Sequence, residues 1–269
     1  MTTTGQAAGL ARACHPGPAV AVTVLATAFG ISTGLTASRL ALLAAAVLAG
    51  QLSIGWSNDV VDAARDRAVG RRDKPLATGE LTESTARVAC ALALAGTVVL
   101  SLLCGLEAGL IHLGCVAAGW AYNLGVKGTV VSWLPYAVAF GGLPVFVALA
   151  EPGAGPPPWW IPVAGALLGV GAHLVNVLPD LAEDEATGVR GIAHRLGPRP
   201  TSLLAVVALV AATVVLAFGT STVSTVVLVA VLATVVVLAA VALLAGGRAP
   251  FRAAIGIALV DVLMLVVAR

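Results

Sequence analysis

The sequence predicts an all-α integral membrane protein with nine transmembrane helices and an internal duplication. Three observations carry that prediction. Hydrophobic residues make up 59% of the 269-residue chain and charged residues only 10%, against roughly 45–50% and about 25% in soluble domains. Nine continuous apolar runs fill nearly the whole chain, each near the ~20 residues a membrane span needs. The basic residues gather in alternate connections between those runs. So few charges could not cover a water-soluble domain, and disordered chains are poor in apolar residues. Barrel strands are excluded because the runs do not alternate.

The runs lie near 17–37, 40–61, 85–105, 108–124, 131–150, 159–181, 201–219, 222–245 and 251–268. The first follows the break Pro16-Gly17-Pro18. Because many more runs follow, it reads as a span and not a cleaved signal peptide. Between the second and third runs stand Arg65, Arg67, Arg71, Arg72 and Lys74, and after the sixth Arg190, Arg195 and Arg199. Lys127 follows the fourth, while Arg248 and Arg252 follow the eighth. The opposite connections carry only Arg39, Glu107 and Glu151. The positive-inside rule therefore predicts a multi-pass protein of the cell membrane, with its N-terminus and basic loops cytoplasmic. The proline-rich connection 150–160 ends the fifth helix and restarts the sixth, and Trp159 and Trp160 suit an interfacial anchor. Cys14, Cys90, Cys104 and Cys115 form no C-x-x-C pair and read as small apolar filler. A net charge of +2 predicts no nucleic-acid partner.

Ten of the thirteen acidic residues fall in 59–83 and 180–185. Aligned, the two stretches share the pattern N-x-x-x-D-x-x-x-D-x-x-x-G at an offset of 118 residues. One copy is Asn58, Asp62, Asp66 and Gly70, and the other is Asn176, Asp180, Asp184 and Gly188. Arg72 and Arg190 keep the same offset. This predicts one membrane domain over 1–269, built of two pseudo-repeat halves at about 10–130 and 131–245. Spacing of four puts each Asn-Asp-Asp set on a single helix face. Like charges one turn apart repel, so the two faces call for a cation. Oxygen donors without Cys or His suit Mg²⁺, which usually bridges to phosphate. Arg71, Arg72, Lys74, Arg190 and Lys127 supply a phosphate clamp. Together these groups read as a diphosphate site beneath an apolar bundle able to house a hydrocarbon tail. Asp59, Asp73, Glu80, Glu83, Glu183 and Glu185 read as solvated loop charge. His173 reads equally as a cavity residue or a structural one, His15, His112 and His194 as structural, and Asp261 as a packing partner within the bundle.

At these residues the chain resembles the UbiA superfamily of intramembrane prenyltransferases. The superfamily's N-D-x-x-D-x-x-x-D motif is matched by Asn58, Asp59, Asp62 and Asp66, and its D-x-x-x-D-x-x-x-G motif by Asp180, Asp184 and Gly188. Lys74-Pro75-Leu76 stands where a basic-Pro-Leu segment follows the first motif, with Lys for the more usual Arg. Tyr122 to Lys127 resembles the loop after span four, and Arg195-Leu196-Gly197 also fits. The resemblance implies nine helices around a central cavity capped by cytoplasmic loops. It implies Mg²⁺-dependent ionisation of an isoprenyl diphosphate, then attack on the allylic cation by an aromatic or lipid acceptor. Asn58, Asp62, Asp66, Asp180 and Asp184 are the metal-binding candidates, with the four aspartates catalytic. Arg72, Lys74, Tyr122, Lys127, Asn176 and Arg190 are the substrate-binding ones. Trp56, Trp120, Tyr122 and Trp133 are the aromatics able to face a cation. A membrane terpene cyclase of the same superfamily is the alternative. An ion-coupled transporter fits less well, because both acidic sets sit at one membrane edge, and the Asp-Gly start of a CDP-alcohol phosphotransferase is missing.

Overall fold

The structure is a computed structural model, and it describes residues 3–181, 184, 188–245 and 249–267. Among the described residues the secondary structure is helical throughout, with no strand. The helices are α1 (Thr3–Ala13), α2 (Pro16–Ser32), α3 (Ala37–Ala68), α4 (Pro75–Thr78), α5 (Glu83–Leu103), α6 (Leu106–Asn123), α7 (Leu134–Leu149) and α8 (Trp160–Val177). Then follow α9 (Ile192–Leu196), α10 (Pro198–Gly219), α11 (Thr225–Leu244) and α12 (Ala249–Val267). All but α1, α4 and α9 coincide with the nine apolar runs. Among the described residues five of them, α3, α5, α8, α10 and α11, are long and apolar enough to cross a membrane, and α1 with α2 forms a further apolar pair bent by 61°.

Local chemistry explains the boundaries. Proline opens α2, α4, α7 and α10, where the missing N–H costs no helical hydrogen bond. Thr82 caps α5 by accepting the Thr85 N–H at 3.2 Å. Buried hydroxyls such as Thr97 are satisfied by the carbonyl one turn back, here Ala93 at 2.7 Å. Where helices cross, glycine lets backbones meet. A Cβ on Gly165 or Gly169 of α8 would collide with the carbonyls of Phe140 and Tyr136 on α7. α8 packs between α7 and α10, and α3 lies against α2 and α5. Phe29, Leu43, Phe146, Leu168, Leu209 and Ile257 form the centre of the core. Asp261 is fully buried in α12 and accepts the Thr213 hydroxyl of α10 at 2.5 Å, a packing role as expected.

The connections divide between two ends of the bundle. Arg39, at the start of α3, donates to the Ala150 carbonyl at 2.6 Å, joining the α2–α3 and α7–α8 connections. The opposite end gathers His15, segment 69–82 and the α6–α7 connection, together with the chain that follows α8.

Two features depart from the sequence-based expectation. α1 lies outside every predicted run, yet it packs on α3 and α4. The face expected for Asn176, Asp180 and Asp184 is also not one unbroken α-helix. α8 stops at Val177, and a 3-10 turn spans Leu178–Asp180. Pro179 lacks the N–H needed to continue the helical ladder, so the backbone tightens there.

Candidate active site

The long α3 carries Asn58, Asp62 and Asp66 on one face toward its C-terminal end. Asp62 and Asp66 are only 7% and 4% exposed, so their charges need local partners. The Lys127 ammonium meets both Asp62 oxygens at 2.7 and 2.6 Å. Arg65 adds a contact to Asp62 at 3.0 Å and lies 4.0 Å from Asp66. The Asn58 amide donates to Asp62 at 3.3 Å and to Asn123 Oδ1 at 3.2 Å. Asn123 is itself anchored by donating to the Ile54 carbonyl and the Ser57 hydroxyl at 2.9 and 2.8 Å. Asn123, missed in the sequence, locks the α6 end against α3. Its position in the Tyr122–Lys127 loop was the available signal.

Asp59 is no solvated loop charge. It is 1% exposed, and its Oδ1 meets Lys74 Nζ at 2.6 Å and His15 Nε2 at 3.1 Å, while Oδ2 is buried without a partner. The elbow between α1 and α2 covers it, which no local pattern foretells. Lys74 sits in extended backbone before Pro75, as a pre-proline residue must. Its ammonium is therefore engaged with Asp59 and His15. Arg71 forms a two-pronged pair with Asp73 at 2.8 and 2.7 Å. The Arg71 guanidinium holds the Asp73 carboxyl down at about 2. Arg72 is exposed. Glu80 pairs with Arg12, and Glu83 with Arg67 and Arg87, as surface charges do.

Both acidic motifs end in the same turn. Gly70 and Gly188 each take a left-handed conformation, with φ of 71° and 83°. The Arg71 N–H bonds the Asp66 carbonyl at 3.0 Å, and the Val189 N–H bonds the Asp184 carbonyl at 2.9 Å. At Gly70, where the Gly70 N–H also bonds the Arg67 carbonyl, this is the Schellman stop of α3. Gly188 shares the left-handed conformation and the matching bond.

In the second motif Asn176 is exposed at the end of α8. The backbone of Asp180 lies in the 3-10 turn, whereas its side chain, Glu183 and Glu185 lie outside the described residues. Asp184 Oδ2 stands 3.6 Å from the buried His194 Nε2. Arg190 is exposed, and its carbonyl accepts from Arg195 at 3.3 Å. The α6–α7 connection links the two motif regions. Lys127 reaches Asp62 with its side chain, while its carbonyl presses on Gly191, where any Cβ would clash. Ser132 accepts the Ile192 N–H at 3.4 Å and lies 3.1 Å from His173 Nε2.

Next to this junction the rings of Tyr122, Tyr136 and His173 meet, with centroids 5.1–5.7 Å apart, and Tyr136 stacks on Phe140 at 6.2 Å. Tyr136 and Phe140 were not singled out in the sequence. Their place on the first turns of the fifth run, just after Lys127, was the only signal. Of the other aromatic candidates, Trp56 donates its indole N–H to Leu10 and Trp120 to Ser53, both as helix ties, and Trp133 is exposed. Phe140 also borders a narrow apolar crevice of about 20 Å³ between α2, α7, α8 and α12, lined by Leu25, Phe29, Leu143, Leu168 and Leu265. That volume is close to one water molecule. Among the described residues no three His, Cys, Asp or Glu side chains converge as a metal cluster. The donors that do face the junction, Asn58, Asp62 and Asp66, are all oxygen-bearing, which suits a hard cation.

The acidic motifs and basic connections thus meet at one end of an apolar helical bundle. Residues 18–263 match the model of the UbiA prenyltransferase family, and the chain belongs to that family. It is thus an enzyme of prenyl transfer. The fold is similar to that of a UbiA homolog from Archaeoglobus fulgidus bound to GPP and Mg²⁺, at 15% identity and TM-score 0.72 over 96% of each chain. The apo UbiA homolog from Aeropyrum pernix is similar at 20% identity and TM-score 0.72, covering 91% of this chain and 96% of that one. A structure of digeranylgeranylglyceryl phosphate synthase matches at 14% identity and TM-score 0.75 over 98% of each. No curated protein matches the chain.

Proposed function

We propose that the protein is a Mg²⁺-dependent intramembrane prenyltransferase that ionises an isoprenyl diphosphate and passes the prenyl group to an aromatic or lipid acceptor. The observation that carries this reading is the junction at which Asn58, Asp62, Lys127 and the chain after the second motif meet. The Archaeoglobus relatives bound to GPP or DMAPP with Mg²⁺ support it. Asn58, Asp62, Asp66, Asp180 and Asp184 hold the metal, which when bound offsets the charge that builds on the leaving diphosphate. Lys127 lies over that face, and Arg72, Lys74 and Arg190 add positive charge from the two basic segments, so the same negative charge meets preorganised cations. Asn176 and Tyr122 contribute further contacts to the substrate, Tyr122 from the aromatic cluster. The prenyl tail runs from that cluster toward the apolar crevice.

The whole bundle is read as nine spans in one domain, with halves at about 10–130 and 131–245. The left-handed glycines Gly70 and Gly188, each followed by the same backbone bond, support the duplication. The two-ended arrangement of connections supports a cell-membrane protein whose N-terminus and motif loops face the cytoplasm.

The test is purified protein in nanodiscs with geranylgeranyl diphosphate, a Mg²⁺ titration and an assay for released diphosphate. Release that persists unchanged in excess EDTA sinks the reading. A membrane terpene cyclase is the second reading, favoured by the ring cluster of Tyr122, Tyr136 and Phe140, because aromatic faces stabilise cations.

A further inference from the structure

The segment 69–82 leaves α3 directly after Asp66 and carries Arg71, Arg72 and Lys74. It is tied to α3 by the Lys74–Asp59 pair at 2.6 Å, and at two further points to the N-terminal helix and the elbow that follows it. At its far end, Gln6 accepts the Thr82 N–H at 3.2 Å and lies 3.5 Å from the Glu80 carbonyl. Arg12 pairs with Glu80, and Gly9 packs closely on Leu81, where an added Cβ would lie 3.1 Å from the Leu81 Cβ. At its middle, His15 Nε2 stands 3.1 Å from Lys74 Nζ and 3.1 Å from Asp59 Oδ1. The elbow that presents His15 is itself held down. Trp56 donates to the Leu10 carbonyl at 2.9 Å, and the Cys14 carbonyl rests on Gly55, where no Cβ fits. His15 adopts φ 54° and ψ 66°, the one left-handed non-glycine residue among those described. That conformation turns the chain between α1 and α2 and aims the ring at Asp59. An open cleft of about 280 Å³, lined in part by Arg12, His15, Asp59 and Lys74, remains between elbow and segment.

We propose that α1 and its elbow form a clasp that sets the position of segment 69–82 against the first acidic motif, with His15 the positioning residue for Lys74. Separate contacts from α1 and from the elbow serve one task, holding a basic segment beside buried carboxylates. The consequence for affinity rests on the reading of Arg72 and Lys74 as diphosphate contacts. The clasp itself does not.

Two measurements separate these. Trypsin cleavage after Arg71 and Arg72, mapped by fragment mass on nanodisc-embedded protein, reports the clasp without catalysis. Steady-state kinetics with geranylgeranyl diphosphate report its effect on substrate. His15→Ala, Arg12→Glu and Glu80→Arg are each expected to speed cleavage severalfold and raise KM about tenfold, with kcat within about twofold. The double variant Arg12→Glu/Glu80→Arg restores the ion pair with its signs exchanged, and is expected to return both readouts toward those of the parent protein. His15→Asn keeps the left-handed turn and loses the ring, so it is expected to behave as His15→Ala does. Unchanged cleavage in all the single variants, or no recovery in the double variant, overturns the clasp. Faster cleavage with unchanged KM upholds the clasp and overturns the assignment of Arg72 and Lys74 to diphosphate.

Discussion

Asp62 is held at once by Lys127, Arg65 and Asn58, so one carboxylate links the acidic face of α3 to the α6–α7 connection. On the proposed reading, removing its charge takes away a metal-binding group and frees Lys127 together. Asp62→Asn is therefore expected to cut diphosphate release by roughly 100-fold or more, with the protein still inserted and monodisperse. Asp180→Asn is expected to do the same. Unchanged turnover in both at limiting Mg²⁺ sinks the metal assignment. Lys127→Ala removes charged hydrogen bonds worth about 1.5–3 kcal/mol. Its KM for geranylgeranyl diphosphate is expected to rise roughly ten- to hundredfold while the KM for acceptor stays level. A loss confined to acceptor places Lys127 elsewhere in the reaction. Asp62 and Lys127 were legible because spacing of four and a loop motif are local patterns. Asp59 was not, because its burial comes from an elbow some forty-five residues earlier in the chain, and a single sequence carries no record of such contacts.

Among the elements, α8 shows both the strength and the limit of reading helices from apolar runs. The run 159–181 foretold its position, yet the helix yields to a 3-10 turn at Pro179, so periodicity alone overextended the acidic face. Glycine, by contrast, encodes where α8 touches α7. A Cβ on Gly169 meets the Tyr136 carbonyl, so Gly169→Ala is expected to destabilise the protein by about 1–3 kcal/mol through overpacking. The same change displaces Tyr136 and lowers kcat. A thermal midpoint and kcat equal to those of the parent protein refute this contact. Segment 69–82 makes a pH prediction. Asp73 has its carboxyl lowered from 3.8 to about 2 by Arg71. A lowered value contributes stability above the unfolded pKa that is lost as pH falls through the folded one. The Asp73→Asn protein should therefore match the parent's pH dependence of unfolding above about pH 5 and lose part of it between about pH 4 and 2. A difference between the two slopes near neutral pH contradicts the pairing with Arg71.

At the scale of the molecule, charge asymmetry and helix ends give one testable orientation. All four native cysteines are free and buried, so added thiols report alone. Thr78→Cys, at the motif end, is expected to react with an impermeant maleimide only in inside-out vesicles, and Ala154→Cys only in right-side-out ones. The reverse pattern inverts the topology. α1 escaped the sequence reading because it is short and too polar on average to stand out as an apolar run. It became visible only through its packing on α3 and α4. Transferase and cyclase share this whole framework, since both must ionise a prenyl diphosphate beside the same carboxylates. What separates them is the path of the cation. A cyclase has to fold the tail among aromatic faces through successive cations. Here the chain is only 4% aromatic, and the rings that do gather, Tyr122, Tyr136 and Phe140, lie in a row leading to a crevice of Leu, Val and Phe side chains. Three rings suffice to steady the single cation of the proposed transferase, whose tail stays extended, and are few for the successive cations of a cyclase. Incubation with Mg²⁺ and farnesyl or geranylgeranyl diphosphate, without acceptor, is therefore expected to yield negligible cyclic hydrocarbon. Prenylated product should appear once a membrane extract or a hydroxylated aromatic acceptor is supplied. A single cyclic terpene formed from the diphosphate alone would replace the transferase with a cyclase built on the same acidic motifs.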